Sequence, residues 1–201
     1  MADKKYISGY CSIQGNSVKV NGKEIFNSGD MPFADFAKQA YRYFAIEYPK
    51  FFKMDSLSKL AFLGSELLLK DIGDKSNTAL LFANTSSSLD TDVRFEESIA
   101  DNENFYPSPA VFVYTLPNIC LGEISIRHRL YTENSFFIFE AFNPQFFADY
   151  ATILLNTHKA QNVLCGWVEL YKEEYKAFLY LVSTEGETEH TAQNIQTLYL
   201  K

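Results

Sequence analysis

The sequence predicts an α/β protein with a mostly parallel five-stranded sheet and helices on both faces. Short apolar runs such as 78–84 (TALLFAN) and 135–139 (SFFIF) suit strands that are buried on both sides. These runs alternate with segments of helical periodicity, an order that is typical of parallel strands in one covered sheet. A chain of 201 residues with 47% hydrophobic and 16% aromatic residues is long enough for one well-buried domain.

The N-terminal elements follow from periodicity and turn residues. In order they are a strand at 6–13, a hairpin or loop at 15–29, and helices at 31–48 and 55–69. Pro32 suits the start of the first helix and Pro49 its end. Asp55 or Ser56 is suited to cap the second helix, whose negative end carries Lys70.

The C-terminal elements continue the alternation. In order they are a strand at 78–84, a helix through Ile99, a loop at 101–109, helical pieces over 111–129, a strand at 135–139, a helix from Asn143 to Thr157, and strands at 162–171 and 175–183. The last two strands are predicted to form a hairpin that adds an antiparallel closing edge. Residues 1–184 therefore form the predicted domain, and 185–201 a tail or an edge strand.

Composition excludes several classes of function. The net charge is −7 and there is no long basic run, so nucleic-acid binding is not expected. The N-terminus lacks the apolar core of a signal peptide and no apolar run reaches membrane-span length, which predicts a cytoplasmic protein without a membrane partner. The three cysteines lie far apart, which favours buried free thiols over a disulfide framework or a zinc site. We expect no metal and no cofactor.

Short segments along most of the chain carry a more specific pattern. They are 6–10 (YISGY), 53–60 (KMDSLSKL), 79–86 (ALLFANTS), 108–109 (SP), 116–118 (LPN) and 122–127 (GEISIR). In this order they resemble the N-terminal half of the β-ketoacyl-acyl-carrier-protein synthases, the thiolase-like condensing enzymes. The resemblance implies a single thiolase-like half, and it implies that the second half, which supplies the catalytic histidines, is absent.

The resemblance also implies where the nucleophile belongs. In the family a cysteine follows the third core strand at the N-terminus of a buried helix, where the helix dipole favours a thiolate. Placing 135–139 on that strand puts the position at Phe142, and a slip of one residue gives Ala141 or Asn143. No cysteine occurs between Cys120 and Cys165, so we predict that the chain has no catalytic residue at this corner.

Other side chains give weaker indications of chemistry. Phe139, Phe142, Phe146 and Phe147 are candidates for an acyl pocket or a subunit interface. His128, His158 and His190 do not match the family's catalytic histidines, Thr132 stands where the family has glycine, and Ser86 to Ser88 form a polar turn without a nucleophile elbow. Glu140 is expected to be a surface carboxylate.

The leading hypothesis is a non-catalytic, chain-length-factor-like accessory subunit in fatty-acid, aryl-polyene or polyketide-type biosynthesis. It would pair with a full-length ketosynthase or with itself as a homodimer. One alternative is an acyl-thioester enzyme with a relocated nucleophile, for which Cys165 is the least implausible candidate. Another is an acyl or acyl-carrier-protein binding module, which requires a basic patch near Arg127, Arg129 and Lys159 in this acidic chain.

Overall fold

A computed structural model describes residues 4–70, 72–101, 103 and 105–201. The elements in chain order are β1 (Tyr6–Gln14), β2 (Ser17–Val20), β3 (Lys23–Asn27), α1 (Phe33–Tyr43), a 3₁₀ turn (Pro49–Lys53), α2 (Ser56–Leu69), β4 (Thr78–Asn84), α3 (Leu89–Glu97), α4 (Pro109–Val113), α5 (Ile119–His128), β5 (Asn134–Ile138), α6 (Pro144–Asn156), β6 (Asn162–Tyr171), β7 (Glu174–Ser183), β8 (Thr188–Glu189) and α7 (Ala192–Tyr199). The α/β class is therefore as predicted.

The sheet itself differs from the prediction. Within the described residues it is mixed and has eight strands in the order β3-β2-β1-β7-β6-β4-β5, with β8 also paired to β1. The β4–β5 and β4–β6 pairs are parallel, whereas the pairs that join β1, β2, β3, β6 and β7 are antiparallel. The prediction of a mostly parallel five-stranded sheet is thus wrong, because β2, β3 and β8 add three strands and β7 lies antiparallel between β6 and β1.

The closing hairpin is central and does not form an edge. β7 pairs with β6 on one side and with β1 on the other, so the predicted antiparallel edge position is also wrong. Its residues from Ala177 to Val182 are all buried, as expected for a strand covered on both faces. Because β7 runs against both neighbours, β1, β4, β5 and β6 share one direction, and their carboxyl ends meet at one edge of the sheet.

Helices cover the two faces of the sheet unequally. One face packs against α1, α2 and α5, with Phe36, Leu60 and Leu121 fully buried. The other face packs against α6 and α7, with Phe147 and Ile195 fully buried. Among the described residues no helix combines the length and the apolar character needed to cross a membrane.

Helix α1 is shorter than the sequence predicts. It ends at Tyr43, because Ala45 takes a left-handed conformation with φ of 49°. The Ile46 N–H then donates to the Tyr41 carbonyl and the Ala45 N–H to the Arg42 carbonyl. This Schellman arrangement ends the helix before Pro49 is reached.

Residues 185–201, predicted to be a tail or an edge strand, include a helix. Thr188 and Glu189 pair with the start of β1, and α7 follows after the Thr191 cap. Ile195 and Leu198 bury their side chains against the face that carries α6. The division of the chain after residue 184 stays a prediction.

The contact between α2 and the sheet gives a first testable prediction. A Cβ atom on Gly64 would lie 2.8 Å from Leu179 Cδ1 and 3.3 Å from Cys11 Sγ. Gly64→Val is therefore expected to lower the free energy of unfolding by about 1–3 kcal/mol through overpacking. Urea unfolding measures the change.

Gly122→Ala is the matched control, because no atom lies within 4 Å of the added Cβ atom in helix α5. We expect it to raise stability by roughly 0.5–1 kcal/mol through helix propensity. Equal effects of the two substitutions would contradict the close packing of α2 on β7.

Candidate functional site at the β5–α6 corner

The corner between β5 and α6 lies at the carboxyl edge of the parallel strands. The Phe139 N–H donates to the Asn84 carbonyl at 2.9 Å, which holds the end of β5 beside the end of β4. Asn143 Oδ1 accepts from the Phe146 N–H at 3.0 Å, and Pro144 begins the helix. The Asn-Pro sequence thus starts α6 as predicted, since asparagine caps and proline suits the first helical position.

Phe142, at the position that the resemblance assigns to the nucleophile, lies among four other aromatic rings. Its ring stacks on Tyr199 with centroids 4.1 Å apart. The centroids of Phe147 and Trp167 each lie 5.6 Å away, and that of Phe178 lies 6.0 Å away. We call these five residues the corner cluster. Phe142 is half-buried and packs against the core at this turn.

Helix α7 closes the corner cluster from outside. Tyr199 contacts both Phe142 and Phe178, and Lys176 Nζ lies 3.7 Å above the Tyr199 ring centroid. Lys176 also donates to the Tyr199 carbonyl at 3.3 Å. This helix was not among the elements predicted from sequence. Its signal was a Thr191 cap followed by apolar residues at 195, 198 and 199, a spacing typical of one helical face.

A second aromatic group, the edge cluster, consists of Phe137, Phe139, Phe146 and Tyr150, all half-buried. The Phe146 centroid lies 4.8 Å from both Phe137 and Phe139. Tyr150 donates its hydroxyl to Glu133 at 2.8 Å. The four phenylalanines named from sequence thus divide: Phe142 and Phe147 lie in the corner cluster, and Phe139 and Phe146 lie beside the β5 edge.

The environment of all three cysteines disfavours the reactive thiolate form. Cys11, Cys120 and Cys165 are all buried. Burial raises the pKa of Cys11 and of Cys165 to about 12, and it raises the pKa of Cys120 well above its ordinary value. A thiolate is the reactive form of cysteine, so this environment disfavours Cys165 as a relocated nucleophile.

None of the three histidines belongs to the corner cluster. His128 is buried with its Nε2 atom 2.9 Å from Glu66 Oε1, and His158 is exposed after the end of α6. His190 is buried, with its ring 5.9 Å from that of Tyr180. These positions leave no histidine beside Phe142 that could act as a general base there.

The serines after β4 are fixed by hydrogen bonds. Glu169 accepts from the Thr85 N–H at 2.7 Å, from the Ser86 N–H at 3.3 Å and from the Ser86 hydroxyl. The Ser88 hydroxyl donates to the Thr115 carbonyl. The carboxylate of Glu169 therefore serves to hold the turn that leaves β4. Glu140 is exposed on the corner itself.

The buried imidazole of His190 predicts acid sensitivity. In the described part of the chain neither ring nitrogen has a hydrogen-bond partner, and burial lowers the pKa of His190 to about 4. The unfolded chain binds the proton at its ordinary pKa of about 6.5, so protons favour unfolding. The stability is therefore complete above about pH 6.5 and is lost as the pH falls towards 4, by up to roughly 3 kcal/mol.

Urea unfolding near neutral pH and near pH 5 measures this loss. His190→Leu is expected to reduce the slope of the free energy of unfolding against pH. His158→Leu, at an exposed position, is the control and should keep the slope of the unchanged protein. The same slope in all three proteins would show that His190 does not carry the effect.

Comparison with known proteins places this geometry in a fold family. No protein-family model matches the sequence, and no curated protein matches it. The ishigamide ketosynthase/chain length factor is similar in structure, with a TM-score of 0.68 at 17% identity over 90% of this chain. The ketosynthase ApeO in complex with its chain length factor ApeC, from Xenorhabdus doucetiae, matches 98% of the chain with a TM-score of 0.62 at 13% identity.

A β-ketoacyl synthase from Burkholderia phymatum STM815 also matches 98% of the chain, with a TM-score of 0.59 at 13% identity. The chain spans 62% of the ishigamide protein, 90% of the Xenorhabdus chain and 61% of the Burkholderia chain. Identities this low establish the fold alone. The similarity confirms the fold that the resemblance implied: the chain has the thiolase-like fold of the β-ketoacyl synthases and chain length factors.

Proposed function

We propose that the protein is a non-catalytic ketosynthase-like subunit of the chain-length-factor kind, acting in fatty-acid, aryl-polyene or polyketide-type biosynthesis. The observation that supports the proposal is the packing of Phe142, the residue that the resemblance assigns to the nucleophile position, against the ring of Tyr199. Residues 1–184 supply the ketosynthase-like domain, and α7 beyond them covers this corner.

The chemistry of the corner supports a non-catalytic role. Condensation through an acyl-enzyme requires a nucleophile that forms a thioester and a nearby group that activates it. A phenyl ring supplies neither, and the buried cysteines are disfavoured as thiolates. The aromatic rings of the corner cluster fill the space with packed side chains, so we assign them a structural role.

The exposed edge of β5 supports pairing with another subunit. β5 pairs with β4 on one side, and its sequence NSFFI holds no charge and no proline. Ile138 is 49% exposed at this edge, beside the edge cluster. An apolar edge strand of this kind is a template for pairing with another chain. The opposite edge, β3, differs because it carries Lys23 and Glu24 and follows a register shift in its pairing with β2.

The partner class follows from the fold. The similar Xenorhabdus structure is of a ketosynthase in complex with its chain length factor. By this likeness the partner is a full-length ketosynthase with an intact cysteine, and a homodimer is the second arrangement. An acyl-carrier protein is a further candidate partner of the complex.

The proposal is tested in two steps. The tagged chain is first used to capture a ketosynthase from its source cell, and the two chains are then co-expressed. Native mass spectrometry is expected to show a complex of one copy of each chain. Condensing activity should reside in the ketosynthase and be lost when its cysteine is replaced. Condensation by this chain alone would overturn the proposal, and so would a monomer that binds no ketosynthase of its source cell.

A further inference from the structure

A basic hollow of about 350 Å³ opens where the ends of α2 and α5 meet, away from the corner cluster. Six ionisable side chains line it: Glu66, Lys70, Lys75, Arg127, His128 and Arg129. Four permanent cations thus surround one carboxylate in a chain whose net charge is −7. We propose that this hollow binds the phosphate or diphosphate group of a small ligand, a site that is independent of the proposed subunit role.

The floor of the hollow is a fixed ion-pair network. Glu66 Oε1 accepts from Arg127 Nε at 2.8 Å and lies 2.9 Å from His128 Nε2, while Glu66 Oε2 accepts from Arg127 Nη2 at 3.2 Å. Burial raises the pKa of Glu66, but the close approach of His128 and the hydrogen bonds from Arg127 outweigh it and hold the pKa at about 2. The carboxylate is therefore ionised and already bound, so its partners in the wall are held in place.

Three cations remain available above this floor. Lys70 and Arg129 are exposed, and neither forms an ion pair with another described residue. Lys75 donates one of its three N–H groups to the Leu69 carbonyl at 2.8 Å. Arg129 ends α5 in the left-handed conformation, with φ of 55°, at the rim of the hollow. Guanidinium and ammonium groups are the side-chain groups that bind the oxygen atoms of a phosphate, and all three of these residues line the one hollow.

The charge balance selects a multiply charged ligand. The C-terminal ends of α2 and α5 each add a partial negative charge of roughly one half, and these ends and Glu66 offset part of the four cations. About two positive charges are left, which suits a phosphate dianion better than a single carboxylate. All six side chains that line the hollow within the described residues are ionisable, which favours a charged group over an acyl chain as the occupant.

The basic patch that carrier-protein docking would require near Arg127, Arg129 and Lys159 does not form from those three residues. Arg127 and Arg129 share the hollow, whereas Lys159 lies elsewhere and pairs with Glu133 at 3.6 Å. Lys70 and Lys75 take its place. The patch is concave and small, a shape that fits a phosphate group within it.

Calorimetric titration with inorganic pyrophosphate, inorganic phosphate and malonate tests the site. Pyrophosphate is expected to bind more tightly than phosphate, and malonate more weakly than both. K70Q/R129Q is expected to weaken pyrophosphate binding at least about tenfold, because two charge-assisted contacts are lost. K38Q/K53Q removes the same charge from exposed positions outside the hollow and should change affinity less than about twofold.

Circular dichroism establishes that each variant is folded, and the single variants K70Q and R129Q replace the double variant if it is not. The proposal is overturned if the unchanged protein binds no pyrophosphate. It is also overturned if K38Q/K53Q weakens binding as much as K70Q/R129Q, since the cations would then act only through the overall charge.

Discussion

Replacing Phe142 by alanine is expected to lower the free energy of unfolding by about 3 kcal/mol, the usual cost of removing a packed aromatic ring. The substitution removes a side chain that contacts Phe147, Trp167, Phe178 and Tyr199 together. It leaves a gap between the sheet and two helices that cannot collapse without moving α7. Urea unfolding with tryptophan fluorescence measures the loss, because Trp167 is the one tryptophan of the chain and borders the gap.

Tyr131→Ala provides the matched control for loss of an aromatic ring. Tyr131 is 80% exposed, so its removal should change stability by less than about 0.5 kcal/mol. If Phe142→Ala is as stable as Tyr131→Ala, the ring at the corner does not pack as described. The position would then be open enough to admit a ligand, and the acyl-pocket interpretation would replace the structural one.

Phe142→Ala also tests the contact between the β5–α6 corner and helix α7. Phe142 and Tyr199 stack with an interplanar angle of 25°, so removing either ring should make removal of the other less costly. A double-mutant cycle of Phe142→Ala and Tyr199→Ala is expected to give a coupling of about 0.5–1.5 kcal/mol. Additive effects would mean that α7 does not seal the corner.

The fold could be predicted from sequence wherever local patterns decide it. β4 has the predicted bounds, since all seven of its residues are buried and its apolar run is continuous. The order of strands could not be predicted in this way, because pairing of β1 with β7 joins residues far apart in sequence. The buried run from Ala177 to Val182 carried the signal for a central strand, but periodicity does not say which neighbours such a strand takes.

In the candidate site, too, features set by neighbouring residues could be predicted from the sequence, and contacts between distant segments could not. The start of α6 is visible in the Asn143-Pro144 pair, since capping acts within one turn. The assignment of Phe142 to the nucleophile position came from the resemblance and from no physical property of the residue. Its cover by Tyr199 depends on a helix that packs from the other end of the chain, and an eight-residue helix gives only a weak periodic signal.

Ile138→Lys is expected to weaken pairing with the partner subunit at least about a hundredfold, if β5 forms the interface as proposed. Ile138 lies on β5 and its side chain is exposed. The backbone N–H of the next residue, Phe139, donates to β4. Because the direction of the backbone groups alternates along a strand, the N–H of Ile138 points away from β4, towards the open edge of the sheet. A lysine there places an unpaired charge where a neighbouring strand would lie, a device by which natural edge strands avoid pairing. Native mass spectrometry and sedimentation at matched concentrations measure the loss.

Tyr43→Lys is the control at the opposite edge of the sheet, because Tyr43 is 62% exposed and its ring lies 4.8 Å from that of Phe26 on β3. It adds the same charge and should leave the complex intact. Both variants are expected to unfold at nearly the urea concentration of the unchanged protein, since neither side chain is buried. A complex that survives Ile138→Lys but is lost with Tyr43→Lys would move the interface to β3, and the proposed pairing through β5 would then be wrong.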